Sequence, residues 1–317
     1  MRLALILIWA LAASVHAHAE DFPSRQIKIV VPFAPGASTD VLARLLGDKL
    51  RARWGQSVIV ENRGGDGGNI GAAEVFHAKP DGYTLLVSPP STLVINKSLY
   101  GKLNYDSDQF VPVTIIGTVP TVLVVHPKLA ANTVKELIAV LKANPERLNY
   151  ASQGNGSTAQ LTTEMFKSKA GVKIVHVPYK GAAPALTDLV AGHVDMMFAN
   201  LASALPLIRS GQVKAIGVAS EKRNGFLPGV PTMSEVLPGF VSETWIGMVA
   251  PPKTPSEIAL KISGAVAEAL KLPEVGKVFT DLSADPVGST PAETAAFVRL
   301  EGERWSAVIR ASGARAE

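Results

Sequence analysis

No cysteine occurs anywhere in the 317 residues. That excludes a disulfide framework, a thiolate metal site and a cysteine nucleophile, and it removes the lipid-bearing cysteine of a bacterial lipoprotein. Long apolar runs are equally scarce. The one candidate, Leu3 to Val15 behind Arg2, falls short of the roughly 20 residues that span a bilayer. Ala17-His18-Ala19 follows it as a small-x-small cleavage pattern. Residues 1–19 are therefore expected to be a cleavable signal peptide, with an exported, freely soluble product starting near Glu20. Export without disulfides suits a chain long enough to build its own core. Blocks of like charge are missing too: 31 Lys+Arg against 27 Asp+Glu leave a net +4, scattered along the chain. Nucleic acid is excluded as a partner on that pattern, and a mildly basic body favours anionic solutes only weakly.

The motifs of several enzyme classes are also absent. There is no GxSxG nucleophile elbow. His77, His126, His176 and His193 stand alone, without HxxxH or HxH spacing, so no metal site is expected. Gly154 to Thr158 lacks the lysine of a phosphate-binding loop. Gly65 to Gly71 has the spacing GxGxxxG in place of GxGxxG, and it follows the second strand instead of the first. No cofactor is expected, and no paired nucleophile and base emerges, so the chain does not read as an enzyme.

What is present is alternation. Ile27 to Phe33 is a run of β-branched residues ended by proline, and Val41, Leu42, Leu45, Leu46 and Leu50 then recur at helical spacing. Further strands are expected at residues 57–61, 83–87, 121–125, 148–151, 173–178, 194–198 and 213–219. Helices are expected at 72–77, 133–143, 158–166, 185–191, 256–270 and 291–309. Strands alternating with helices imply an α/β fold with mostly parallel sheets covered on both faces. There are too many strands for one open sheet of about four to six, so two lobes are expected. Chain crossings fall in the Pro/Gly-rich segments around Gly117–Pro120 and Gly247–Pro255. This gives a discontinuous first lobe, residues 20–120 with 247–317, and a second lobe, residues 121–246.

The strands end in similar chemistry. After the first come Gly36, Ala37, Ser38 and Thr39; after the third, Ser88, Ser91 and Thr92. The second lobe contributes Ser152, Gly154, Gly156, Ser157 and Thr158, then Tyr179 and Gly181. Glycines let backbone approach a ligand, and small hydroxyls donate without crowding. Helix N-termini follow, so unpaired N–H groups point at the edge where open α/β sheets bind ligands. One such loop is an ordinary turn; three from two lobes favour an anion site that needs no arginine.

Pro32-Phe33-Ala34-Pro35-Gly36-Ala37-Ser38-Thr39-Asp40 resembles the PFxPGGxxD signature of the Bug-type receptors of tripartite tricarboxylate transporters. Further landmarks appear in order: Val60-Glu61-Asn62-Arg63, Pro80 to Leu85, Asn149 to Ser152, Gly154 to Ser157, Val177 to Gly181, Gly192 to Asp195, Pro231-Thr232 and Trp245-Ile246-Gly247. The resemblance spans nearly the whole exported chain. It implies a type II periplasmic-binding-protein fold, a periplasmic location, a small mono- or dicarboxylate ligand, membrane transporter subunits as partners, and a monomer. It places Phe33, Ala37, Ser38, Thr39 and Asp40 on one jaw and Gly156, Ser157, Thr158, Tyr179 and Gly181 on the other. Ser88 and Asn200 are implied near the ligand's far end. Two positions depart from the family pattern: Ala37 replaces a glycine, and Ala199 stands where an acid is frequent. The rival readings are a same-fold receptor serving another transporter or a sensor kinase, and a periplasmic carboxylate-processing enzyme.

Overall fold

The computed structural model describes residues 22–316. The expected signal peptide over residues 1–19, and the processing point near Glu20, lie outside the described residues. Along the chain run β1 (Ile27–Val31), α1 (Ser38–Trp54), β2 (Val58–Asn62), α2 (Asn69–Phe76) and β3 (Thr84–Ser88). A π-turn over Ser91–Ile95 leads into α3 (Asn96–Leu99), then β4 (Val111–Val125), α4 (Val134–Ala143), β5 (Asn149–Ser152) and α5 (Thr158–Ala170). Next come β6 (Val175–Pro178), α6 (Ala182–Ala191), β7 (Met196–Asn200), α7 (Leu201–Arg209) and β8 (Lys214–Val218). The chain ends with β9 (Glu243–Ala250), α8 (Ser256–Leu270), α9 (Pro273–Asp281), β10 (Asp285–Pro286) and α10 (Pro291–Ser312).

The strands lie in the order β2-β1-β3-β9-β4-β7-β5-β6, with β8 and β10 also paired to β4. β1 is parallel to β2 and β3, and β5 is parallel to β6 and β7. Between these two parallel groups, β9 and β4 run antiparallel to their neighbours. β4 changes partners along its length: Val111 to Pro120 pair with β9, and Thr121 to Val125 pair with β7 and β8. The result is a two-lobed α/β fold. One lobe packs α1, α8 and α9 on the face carrying Ile29, Val87 and Met248, and the other packs α4 and α5 on the face carrying Leu123 and Phe198. On the opposite faces, α2 and α10 cover the first lobe and α6 and α7 cover the second. α10 also touches the second lobe, because Leu161 of α5 is buried with Trp245, Trp305 and Ile309.

β4 differs from its expected span. The sequence shows a strand only at residues 121–125 and a chain crossing at Gly117–Pro120, because glycine and proline weaken a strand reading. In the structure that segment is strand throughout. Gly117 is glycine because a Cβ there would stand 2.5 Å from the Phe279 ring and 2.6 Å from the Asp285 carbonyl oxygen, so α9 and β10 can lie close against the strand. Helices α3, α7 and α9 and strands β9 and β10 were also unexpected, and β9 runs to Ala250 through the start of the chain crossing expected at Gly247–Pro255. α7 carries Pro206 in its interior, and α9 is only nine residues long.

Candidate ligand-binding site

The first loop begins where β1 ends and closes at Ala37, the N-cap of α1, which has no side chain to cap with. Asp40, at the third helical position, ties back the loop ahead of that cap. Its carboxylate accepts from Gly36 N–H (3.0 Å), Asn62 Nδ2 (2.9 Å) and Arg44 Nε (3.2 Å), and Arg44 Nη2 adds a 2.9 Å ion pair. Asn62 Nδ2 also donates to Phe33 O at 3.0 Å. Burial opposes the charge on Asp40, but Arg44, the Gly36 amide and Asn62 outweigh it and hold the carboxyl below its usual range. With 4 % of its surface exposed and its oxygens occupied, Asp40 ties the loop down. Thr39 is buried, Ser38 is half-buried and Ala37 is exposed. The amides of the first helical turn have no intrahelical partner and remain available to a ligand.

The second loop repeats the device in neutral form. Ser157 is the N-cap of α5 and accepts from Gln160 N–H, while its hydroxyl donates to Gly154 O at 2.7 Å. From the third helical position, Gln160 Oε1 accepts from Gly156 N–H at 2.6 Å. A backbone N–H can only donate, so this contact fixes the orientation of the Gln160 amide and turns its Nε2 toward His176 Nδ1, 3.4 Å away. Nδ1 is therefore an acceptor, and the imidazole proton sits on Nε2, which donates to Ser152 Oγ at 2.7 Å. Ser152 in turn accepts from Gly154 N–H and donates to Gly154 O.

The second loop approaches the first lobe. Gly156 has φ +75°, and a Cβ on it would stand 2.2 Å from Leu99 Cδ2 at the end of α3. The second-lobe loop thus lies directly against the segment that follows β3. Phe33 closes on a turn that the sequence reading set aside. A Cβ on Gly68 would stand 3.0 Å from the Phe33 ring and 2.7 Å from Thr92 Cγ2. Behind that turn lies a buried polar cluster: Asn96 Nδ2 donates to Asn69 Oδ1 (2.6 Å), and so does the Tyr105 hydroxyl (3.0 Å).

The remaining expected residues are placed less openly. Ser88 is fully buried, its hydroxyl engaged with Pro89 O and Thr92 Oγ1. The Tyr179 hydroxyl donates to Asp188 at 2.7 Å; burial and that carboxylate push its pKa up to about 12, so it stays neutral. Gly181 is the N-cap of α6 and Asn200 the N-cap of α7. Asn200 Oδ1 accepts from Thr244 Oγ1 at 3.1 Å, next to the place where β4 changes partners. Sequence reasoning missed Gln160, His176, Asn62, Leu99 and the turn at residues 66–69. For Gln160 a signal existed: Gly36 to Asp40 and Gly156 to Gln160 have the same spacing.

Helix N-termini offering amides at the carboxyl ends of parallel strands, on two lobes joined by crossing strands, define a clamping solute receptor of the type II periplasmic-binding-protein class. The chain belongs to the family described as "Tripartite tricarboxylate transporter family receptor", whose profile matches residues 42–314. It is 40% identical to protein BugT of Bordetella pertussis, over 99% of this chain and 98% of that one. A protein of R. palustris solved with adipate superposes with a TM-score of 0.83 at 37% identity, covering 92% of this chain and 99% of its own. MatC of Rhodopseudomonas palustris, solved with bound malate, gives 0.80 at 36% identity, covering 91% and 100%. Among the described residues no helix is long and apolar enough to cross a membrane, and no cluster of potential metal ligands occurs.

Proposed function

We propose that this protein captures a small organic carboxylate between its lobes and delivers it to a tripartite membrane carrier. The observation that carries this reading is the pair of matching loops. In each, the residue before the N-cap is tied back to the third helical residue, which leaves the first-turn amides of α1, and those of Thr158 and Ala159 in α5, to hold an oxyanion. Phe33, Ala37, Ser38 and Thr39 form one jaw, and Gly156, Ser157, Thr158 and Gly181 the other. Asp40 and Tyr179 support these loops, and Ser88 and Asn200 lie towards the floor. The lobes divide at Pro120/Thr121, where β4 changes partners, and just before Glu243, where β9 joins the first lobe. That second boundary is four residues earlier than the sequence-based one. The protein works as a periplasmic monomer released from its leader near Glu20. Calorimetry against a panel of mono- and dicarboxylates tests the reading, with adipate and malate as first probes. Saturation by none of them, with amines or sugars binding instead, would overturn it.

Among the described residues the enzyme reading finds one hydroxyl–imidazole contact, Ser152 with His176, and its polarity is wrong for catalysis. The ring donates to the hydroxyl, so it cannot take the hydroxyl proton as a general base would, and Ser152 is fully buried.

A further inference from the structure

The two binding loops are tied by the same geometry and different chemistry. Asp40 is held by a guanidinium and stays ionised across the physiological range. Gln160 is uncharged, and its orientation is shared with a histidine. We propose that His176 is a positioning residue for the second loop and makes ligand capture pH-dependent: the neutral ring locks residues 154–160 in the binding form, and the charged ring releases them. This rests on the reading that the first-turn amides of α5 hold the carboxylate.

The reason is donor arithmetic. An imidazolium donates from both nitrogens. Its Nδ1–H would face the Gln160 NH2 group, donor against donor. Turning the Gln160 amide over relieves that conflict and creates another, because its NH2 would then face Gly156 N–H. Charging the ring therefore breaks the tie one residue before the N-cap of α5, in either orientation. The charged groups facing the ring are Glu164 and Lys167, both on α5. Glu164 Oε1 is already engaged by the Tyr150 hydroxyl (2.7 Å) and Lys167 Nζ (2.8 Å). Burial lowers the pKa of His176 from its usual value, Glu164 opposes and Lys167 reinforces. The neutral ring is thus the resting form at neutral pH, and release occurs on acidification below the ordinary imidazole range. Tyr150 stacks on the ring at 4.7 Å between centroids, which fixes its plane. Simple attraction between an imidazolium and an anionic ligand would give the opposite trend, so the sign of the effect decides between the two.

The test begins on ligand-free protein labelled with 15N at histidine and glycine. His176 should show the Nε2–H tautomer at pH 8, and the Gly156 amide resonance should titrate with the ring's midpoint. In His176→Gln, whose side-chain amide still donates to Ser152 but does not titrate, the Gly156 resonance should be constant from pH 8 to 5. Calorimetry with adipate then reads the consequence. Relative to His176→Gln, wild-type affinity should fall about tenfold per pH unit below the ring's pKa, a ratio that cancels the acid's own titration. An Nδ1–H tautomer, a static Gly156 resonance, parallel pH profiles or tighter wild-type binding in acid would each overturn the assignment. Ala37→Asp, on the other jaw, separates the two ideas: unchanged adipate binding there, or none in any variant, strikes the carboxylate reading, while the ligand-free spectra still decide His176.

Discussion

At Ala37 an introduced carboxylate would stand beside the free amides that open α1 and compete for them with the ligand. A helix N-terminus is worth about 0.3–1 kcal/mol to an exposed anion and up to about 2 when partly buried. Adding direct repulsion, Ala37→Asp should weaken carboxylate binding well over tenfold, a change of only about 1.4 kcal/mol. Calorimetry on the folded variant reads it, and wild-type affinity would remove this loop from the site. Ser157→Ala should be milder, since one hydroxyl goes and the backbone donors stay. Asp40→Asn attacks the loop from beneath. It takes away a buried charge that Arg44, Gly36 and Asn62 all address, and should cost about 1–3 kcal/mol of stability. The carboxyl pKa of Asp40 is depressed, so its stabilisation is present above the ordinary Asp value and vanishes as pH falls through the lower folded one. The gap between wild type and Asp40→Asn in thermal unfolding should therefore close in strong acid. Side chains close in sequence to a glycine turn were legible at this scale. Gln160 with His176 was not: they meet across 16 residues through a strand pairing, and an isolated histidine carries no spacing that announces it.

Among the elements, β9 carries an unusual group at its start. Glu243 pairs with Pro120 of β4. Burial, then Asp285 and Glu221, push its carboxyl up to about 7, with Arg304 opposing and Glu301 adding to the rise. The folded protein keeps a proton there that the unfolded chain gives up from the ordinary Glu range upward. Stability is thus lost as pH rises through that interval, by about 3 kcal/mol at most. Glu243→Gln should melt higher than wild type at pH 8, with the difference shrinking towards pH 5. Equal pH profiles for the two proteins would contradict this. The α8 helix was readable to its end residues because its apolar period is regular. The first ten residues of β4 were not, because their strand character comes from pairing with β9, and with β10 at Gly117 and Thr118, and not from local propensity.

For the molecule as a whole, two lobes that meet where the Gly156 loop lies against Leu99 of α3 should move as a hinge when the ligand is exchanged. Small-angle scattering should give a smaller radius of gyration with saturating carboxylate than without. Identical curves at proven saturation would mean that the cleft is already shut when empty. The two-lobe plan was visible in the number and alternation of strands. The order in which they assemble was not, since pairing between distant strands leaves no local trace. In that order, β9 sits between β3 and β4, although some 120 residues separate it from the end of β4. A chain that emerges N-terminus first, as from a ribosome, therefore delivers β1 to β4 long before the strand that joins them. Until residues 243–250 emerge, the first lobe has an unfilled slot at the middle of its sheet, while the second lobe has already received all of its strands. Late arrival of the central strand sets the order in which the parts can be completed: second lobe first, then the first lobe, and only then a cleft.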